Sequence, residues 1–246
     1  MFAAAISGCG GSTATSKSTG AGGTTAGANS TVIDNIQSNT WLTCGNCGNT
    51  GATGPTAPYS FTLNIASPSE DNAATQFSLA AVTPFTNGFF YQQHGAVKSQ
   101  LNALSYEFDL YIPTGMENAP QAIEFQCQQT LDGYVYNFAW QADYPTNVWR
   151  TFDYASTTWQ PTSIPLQRFT PGTWHHIVAE YHNDTVNHLT VHDALTVDGV
   201  RFTAGITHNA PLTGGSNQFS NAFQLDSNSV PAAYSVYVDK MKITYQ

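Results

Sequence analysis

The chain has 246 residues, of which 9% are charged and 13% aromatic; an ordinary soluble domain carries about 25% charged residues, so Ser, Thr, Asn and Gln must keep this one wet. Seven Lys plus Arg against sixteen Asp plus Glu leave a net charge of −9, which excludes the basic footprint needed for phosphate backbones or anionic lipid headgroups. Nucleic acid is therefore not an expected partner. A hydrophobic fraction of 41% suffices for a core and excludes global disorder. No stretch reaches the roughly 18 to 20 apolar residues of a membrane helix, and the scarcity of Lys and Glu disfavours exposed helices. The composition suits an all-β, extracytoplasmic module.

In chain order, residues 1–9 come first, and their Ile6-Ser7-Gly8-Cys9 run resembles a lipobox, although a basic start is missing and the apolar run is short for a signal. The resemblance implies a bacterial lipoprotein with a lipid on Cys9, the membrane being met only through that anchor. Between residues 10 and 31, 20 of 22 residues are Gly, Ser, Thr or Ala. Such a segment buries too little apolar surface to order itself, and its span as a coil is roughly 25 Å. The remainder, 32–246, reads as one domain.

Cys44 and Cys47 stand two residues apart, a spacing compatible with a redox motif, half a zinc site or a small structural disulfide. The glycine-rich Gly48-Asn49-Thr50-Gly51 that follows does not open a helix as a redox motif would, and no second cysteine pair completes a zinc site. A disulfide is the expectation. Cys127, on the apolar face of a strand, is expected to be a buried free thiol.

The body alternates apolar and polar residues at period two, the signature of half-buried strands. Tyr59, Phe61, Leu63 and Ile65 form one apolar stripe, and Phe108, Leu110 and Ile112 another. Further runs cover 76–82, 88–92, 123–129, 134–141, 149–154, 174–181, 188–197, 219–225 and 234–244. About a dozen strands in one segment predict a single two-sheet sandwich. Asp132-Gly133 and Asp198-Gly199 are strong two-residue hairpin signals. The first sets Glu124 opposite Gln141, Gln126 opposite Ala139 and Gln128 opposite Asn137 on a polar face, with Phe125, Cys127, Phe138 and Trp140 on the other.

Trp174-His175-His176-Ile177-Val178 resembles the Trp-His-His strand of laminin-G-like modules. The run 237–243, around Asp239, is similar to the closing strand of concanavalin A-like lectins and glucanases. With Tyr106-Glu107-Phe108-Asp109-Leu110-Tyr111-Ile112, these landmarks extend from about residue 58 to the end. The resemblance implies a two-sheet antiparallel jelly-roll sandwich whose concave sheet faces glycan. It also implies a structural calcium on Asp239, a cation that favours oxygen ligands; no other cofactor is required.

Glu107 and Asp109 share a strand face, and Glu124 lies on the polar face of the next predicted strand. Glycoside hydrolysis needs one protonated and one ionised carboxyl group, roughly 5 Å apart for retention and 6.5 to 9.5 Å for inversion. Retaining enzymes of the resembled family carry Glu, Asp and Glu at alternating positions, whereas Tyr111 occupies the third position here, so Glu124 is expected to serve as acid and base with Glu107 as nucleophile. His176 and His182 alternate with Trp174, His175 with Ile177, and His188 and His192 are four apart, one face of a strand. Tyr144, Trp149, Phe152, Tyr154 and Trp159 crowd a short stretch. Sugar rings stack on aromatic planes and amides bind hydroxyls. Gln126, Gln128, Asn137, Gln141, Tyr111, His176, Trp149 and Trp159 are thus the expected substrate-binding residues, while Trp140 and Trp174 are expected in the core. The reading leans to hydrolysis of a neutral polysaccharide or oligosaccharide by a monomer. The alternatives are a non-catalytic glycan-binding module and an adhesin-like surface domain that binds protein.

Overall fold

The computed structural model describes residues 30–44, 58–80 and 83–246. The expected lipid-bearing Cys9, nearly all of the tether and Cys47 lie outside the described residues. Cys44 is disulfide-bonded, and Cys127 is a buried free thiol, as expected of it.

The strands form two antiparallel sheets. The first runs, in spatial order, β13 (Val200–Asn209), β12 (Leu189–Val197), β11 (Trp174–Asp184), β6 (Leu104–Tyr111), β16 (Tyr234–Tyr245), β4 (Ala74–Leu79) and β3 (Tyr59–Ile65), with β1 (Thr31–Ile33) on β16. The second runs β10 (Thr158–Pro165), β9 (Val148–Asp153), β8 (Gly133–Asp143), β7 (Pro120–Leu131), β15 (Gln218–Ser227), β5 (Asn87–Gln93) and β2 (Leu42–Thr43), with β14 (Leu212–Gly215) on β8. Apart from a 3-10 turn at Ile36–Ser38, the described residues hold no helix.

Alternation places the core where the period-two pattern expects it. In β3 Tyr59, Phe61 and Leu63 turn inward, while Ile65, expected in the same stripe, follows a one-residue slip in register and pairs with Ala74 on the other face, and across the two sheets Phe108 meets Phe125 at 4.9 Å and Phe77 meets Phe223 at 5.1 Å. Both hairpins form with two positive φ angles, 50° and 83° at Asp132-Gly133, 50° and 79° at Asp198-Gly199, the geometry that matches strand twist. The register of β7 and β8 is the expected one, Glu124 opposite Gln141 and Gln128 opposite Asn137.

The sheets approach closely where β5 passes β3. A Cβ added to Gly88 would stand 2.8 Å from Cβ of Tyr59, and overpacking of this kind costs about 1–3 kcal/mol. Gly88→Ala is expected to lower the urea midpoint accordingly, with the m value unchanged.

One expectation of adjacency is corrected. β6 and β7 follow one another in sequence but belong to opposite sheets. The segment between them, from Ile112 to Ala119, arches across the sandwich, tightened by Met116 N–H to Pro113 O and Ala119 N–H to Met116 O, both 3.1 Å. Gly115 takes a φ of 87° in this arch.

Candidate functional site

The first consequence is that Glu107 and Asp109 share the outer face of the first sheet, whereas Glu124 lies on the outer face of the second. The expected three-carboxylate constellation is therefore split by the thickness of the sandwich, about 10 Å.

On the first sheet the two acids are held by ion pairs. His176 Nδ1 lies 2.7 Å from Asp109 and its Nε2 3.6 Å from Glu107. Lys242 adds an ion pair to Glu107 at 3.0 Å, and Lys240 bridges Glu70 at 2.9 Å and Asp109 at 3.8 Å. Burial raises the Asp109 carboxyl to about 6, helped by the neighbouring Glu70 carboxyl and opposed by His176. His176 is a clamp between two acids here.

Asp239 is fully buried and receives hydrogen bonds from Ser69 Oγ and Glu70 N–H at 2.7 Å each, Lys240 N–H at 2.9 Å and Gln37 Nε2 at 3.4 Å. Burial alone would raise its carboxyl, but these donors hold it below the ordinary range. Both oxygens thus pin the connection before β4 to β16, and among the described residues no group of three or more His, Cys, Asp or Glu is placed to hold a metal ion.

The second sheet carries a different surface. Register aligns Phe89, Gln224, Glu124, Gln141 and Arg150 in one row across its outer face. Adjacent rows contribute Asp226 and Asp143 on one side, and Ala222, Gln126, Ser220, Gln128 and Asn137 on the other. The expected amides are together, each less than a tenth exposed.

Asp226, absent from the expected set, sits diagonally from Glu124, because Gln224 pairs with Glu124 and Asp226 with Ala122. Gln141 Nε2 donates to Glu124 Oε1 at 2.5 Å, and Gln224 Nε2 to Asp226 Oδ1 at 2.8 Å. Burial, then the charge of Asp226, pushes the Glu124 carboxyl well above the ordinary range. Burial also raises Asp226 to about 6, although hydrogen bonds from Glu124 and Gln224 favour its ionised form. No N–H or hydroxyl donor reaches Asp226 Oδ2. The two facts agree if Glu124 keeps its proton and donates it there, since two carboxylates side by side cannot both ionise. Arg150 is tied to Asp143 at 2.8 Å.

The aromatic expectations divide. Trp149 is 1% exposed and packs in the core against Phe125, Trp140 and Phe169, not on a ligand face; its partner across the ladder is the inward Ala142. Trp159 does face outward, part-exposed on β10 and 5.1 Å from Phe152. Trp140 is core as expected, but Trp174 is part-exposed on the outer face of the first sheet, 5.3 Å from Tyr111. His188 stands outside the strand in a turn with a φ of 53°, flat on Tyr134 at 3.7 Å, and so shares no strand face with His192. His192 is enclosed against Trp140 and Tyr181, where burial and then the nearby His208 depress its pKa to about 3.

No family model matches the sequence, and no curated protein matches it either. Among solved structures, it is similar to a cellulose-induced protein at TM-score 0.50 and 12% identity, over 82% of this chain and 90% of that one. It is similar to peanut lectin at 0.49 and 11%, over 89% and 98% of the two chains. An endo-1,3-beta-glucanase from Streptomyces sioyaensis follows at 0.45 and 11%, over 91% and 99%. Strand content, the two antiparallel sheets and the likeness to the cellulose-induced protein agree on the fold: the protein is an all-β sandwich of two antiparallel sheets, consistent with a jelly roll.

Proposed function

We propose that the outer face of the second sheet binds a neutral polysaccharide, with the Glu124–Asp226 pair at its centre. The observation that carries this reading is a set of polar atoms on that face that are buried and without a partner: Gln126 Nε2, Asn137 Oδ1 and Ser220 Oγ. Each such atom costs about 1–3 kcal/mol, and a ligand rich in hydroxyls supplies donors and acceptors together. Charge supports a neutral ligand. Arg150 is neutralised by Asp143, Glu124 is protonated, and the ionised Asp226 repels an anionic sugar. Against a protein ligand, the large exposed hydrophobics among the described residues, from Val32 to Val230, fall on separate segments and not on one strand or turn. The disulfide-bonded Cys44 fits an extracytoplasmic setting.

Isothermal titration with soluble neutral polysaccharides tests the reading. The Gln126→Ala/Gln141→Ala double variant is expected to bind about 10- to 100-fold more weakly, two lost hydrogen bonds at about 0.5–1.5 kcal/mol each. Glu107→Gln should bind as the parent does. Unchanged affinity in the double variant overturns the assignment.

Hydrolysis is a second reading, favoured by one observation. Neighbouring carboxyl groups driven to opposite protonation states are the pattern of an acid and base pair. Here they touch, short of the roughly 5 Å that retention uses, so a substrate must part them. On this reading Glu124 is the acid and Asp226 the base or nucleophile. The parent should release reducing sugar and both Glu124→Gln and Asp226→Asn should not; no product from the parent leaves binding alone.

A further inference from the structure

The outer face of the first sheet carries a row of residues that the ion-pair network does not use. Register carries it across five strands: Thr62, Gln76, Tyr237, Tyr111 and Trp174. Its three rings are part-exposed. Tyr111 lies 5.3 Å from Trp174 at an interplanar angle of 49°, and 6.0 Å from Tyr237 at 78°. Gln76 Nε2 donates to the Tyr237 hydroxyl at 2.9 Å. No member of the row is charged. The charged groups begin one row away, with Asp109, His176 and Lys240.

Beside the row on its other side is an open pocket of about 280 Å³, lined by Ser60, Ser78 and Ser235 and by apolar residues that include Pro58, Leu79 and Met116. Ser235 and Ser78 are two residues from Tyr237 and Gln76 on the same strands, which places pocket and ring row on one face within about 7 Å. Their hydroxyls meet at 2.7 Å. Aromatic planes, an amide and hydroxyls with no net charge are the chemistry that receives the apolar face and the rim hydroxyls of a pyranose ring. A polyanion finds no cation in this row.

We propose that this row and pocket form a second binding site, for an uncharged pyranose oligosaccharide, on the sheet opposite the Glu124–Asp226 face and independent of it. Trp174 and Tyr111 supply the stacking floor, Tyr237 and Gln76 the polar edge, and the pocket, apolar with three serine hydroxyls, takes a ring at the end of the row.

The test is ¹⁹F NMR of the full chain labelled with fluorotryptophan, titrated separately with cellohexaose and laminarihexaose. The Trp174 resonance, assigned with Trp174→Phe, is expected to move saturably with one of them. It should still move in the Gln126→Ala/Gln141→Ala variant, which disables the other sheet, and the midpoint should rise at least tenfold in Tyr237→Ala. A Trp174 signal that stays fixed up to the solubility of both probes overturns the proposal, as does one whose movement vanishes with Gln126 and Gln141. Because the parent spectrum alone can refute it, a poorly folded Tyr237→Ala does not protect it. Loss of binding at the second sheet leaves the Trp174 result standing, so the two sites fail separately.

Discussion

Trp149→Ala is expected to lower the unfolding free energy by about 3–5 kcal/mol, the cost of emptying a large aromatic site in a packed core. The expectation follows from placement. Trp149 is 1% exposed, with Phe125 at 6.0 Å, Phe169 at 6.2 Å and Trp140 at 6.3 Å, all edge-on. A ring that stacked only on ligand would lose binding and keep stability. Urea unfolding distinguishes the two, through a large fall in midpoint at constant m. Trp159→Ala serves as the contrast. Its ring lies on the outer side of β10 against Phe152, and its removal should cost under about 1 kcal/mol. A Trp149→Ala protein as stable as the parent would place that ring outside the core.

The second large effect concerns pH. Asp226 is buried, and its carboxyl is raised to about 6. A carboxyl whose pKa rises on folding stabilises the fold below its unfolded pKa, near 4, and that contribution disappears as pH climbs through the folded value. For Asp226 the loss between pH 4 and pH 7 is on the order of 2–3 kcal/mol, at 1.36 kcal/mol for each unit. Asp226→Asn removes it, because the amide never ionises and still accepts from Glu124. Variant and parent should therefore differ little at pH 4, and the variant should be the more stable by about 2 kcal/mol at pH 7.

The parent curve by itself would not show this. His94, His192 and His208 all have pKa values depressed chiefly by burial. They cost stability as pH falls below about 6.5, in the opposite sense. Only the difference between variant and parent isolates Asp226. A difference that is flat from pH 4 to 7 would refute the shared-proton arrangement with Glu124.

The sandwich itself was legible in the sequence because alternation at period two needs only local information. The stripe at Tyr59 to Leu63, the two Asp-Gly turns and the register that put Gln128 beside Asn137 all follow from residues adjacent in the chain. The site was half legible for the same reason. The amides of β7 and β8 face one another across a hairpin, which turn chemistry specifies. Asp226 comes from β15, a long-range neighbour of β7, and it falls one residue beyond the run recognised at 219–225. Its alternation with Gln224, Ala222 and Ser220 was the available signal, but nothing local says which strand lies beside β7.

The same limit explains the misplaced pairing of Glu107 with Glu124, since chain adjacency suggested sheet adjacency and the arch after β6 crosses to the other layer. Trp149 and Trp174 exchanged their expected roles because strand phase decides which of two alternating aromatics points inward. In a stretch crowded with them, both phases look apolar.

β10 closes one side of the second sheet with Pro161 and Pro165 in its sequence, and its pairing with β9 slips between them. There Thr162 Oγ1 donates to Trp149 O at 2.7 Å and accepts from Ile164 N–H at 3.1 Å, so local groups use up the ladder's valences. A proline has no N–H to offer an incoming strand. Two prolines in eight residues make this border of the sheet a poorer template for the addition of another chain, the step that begins fibre growth in β proteins. Crowded copies of the domain are protected at that border by imino acids and not by charge, the resource this chain has least of.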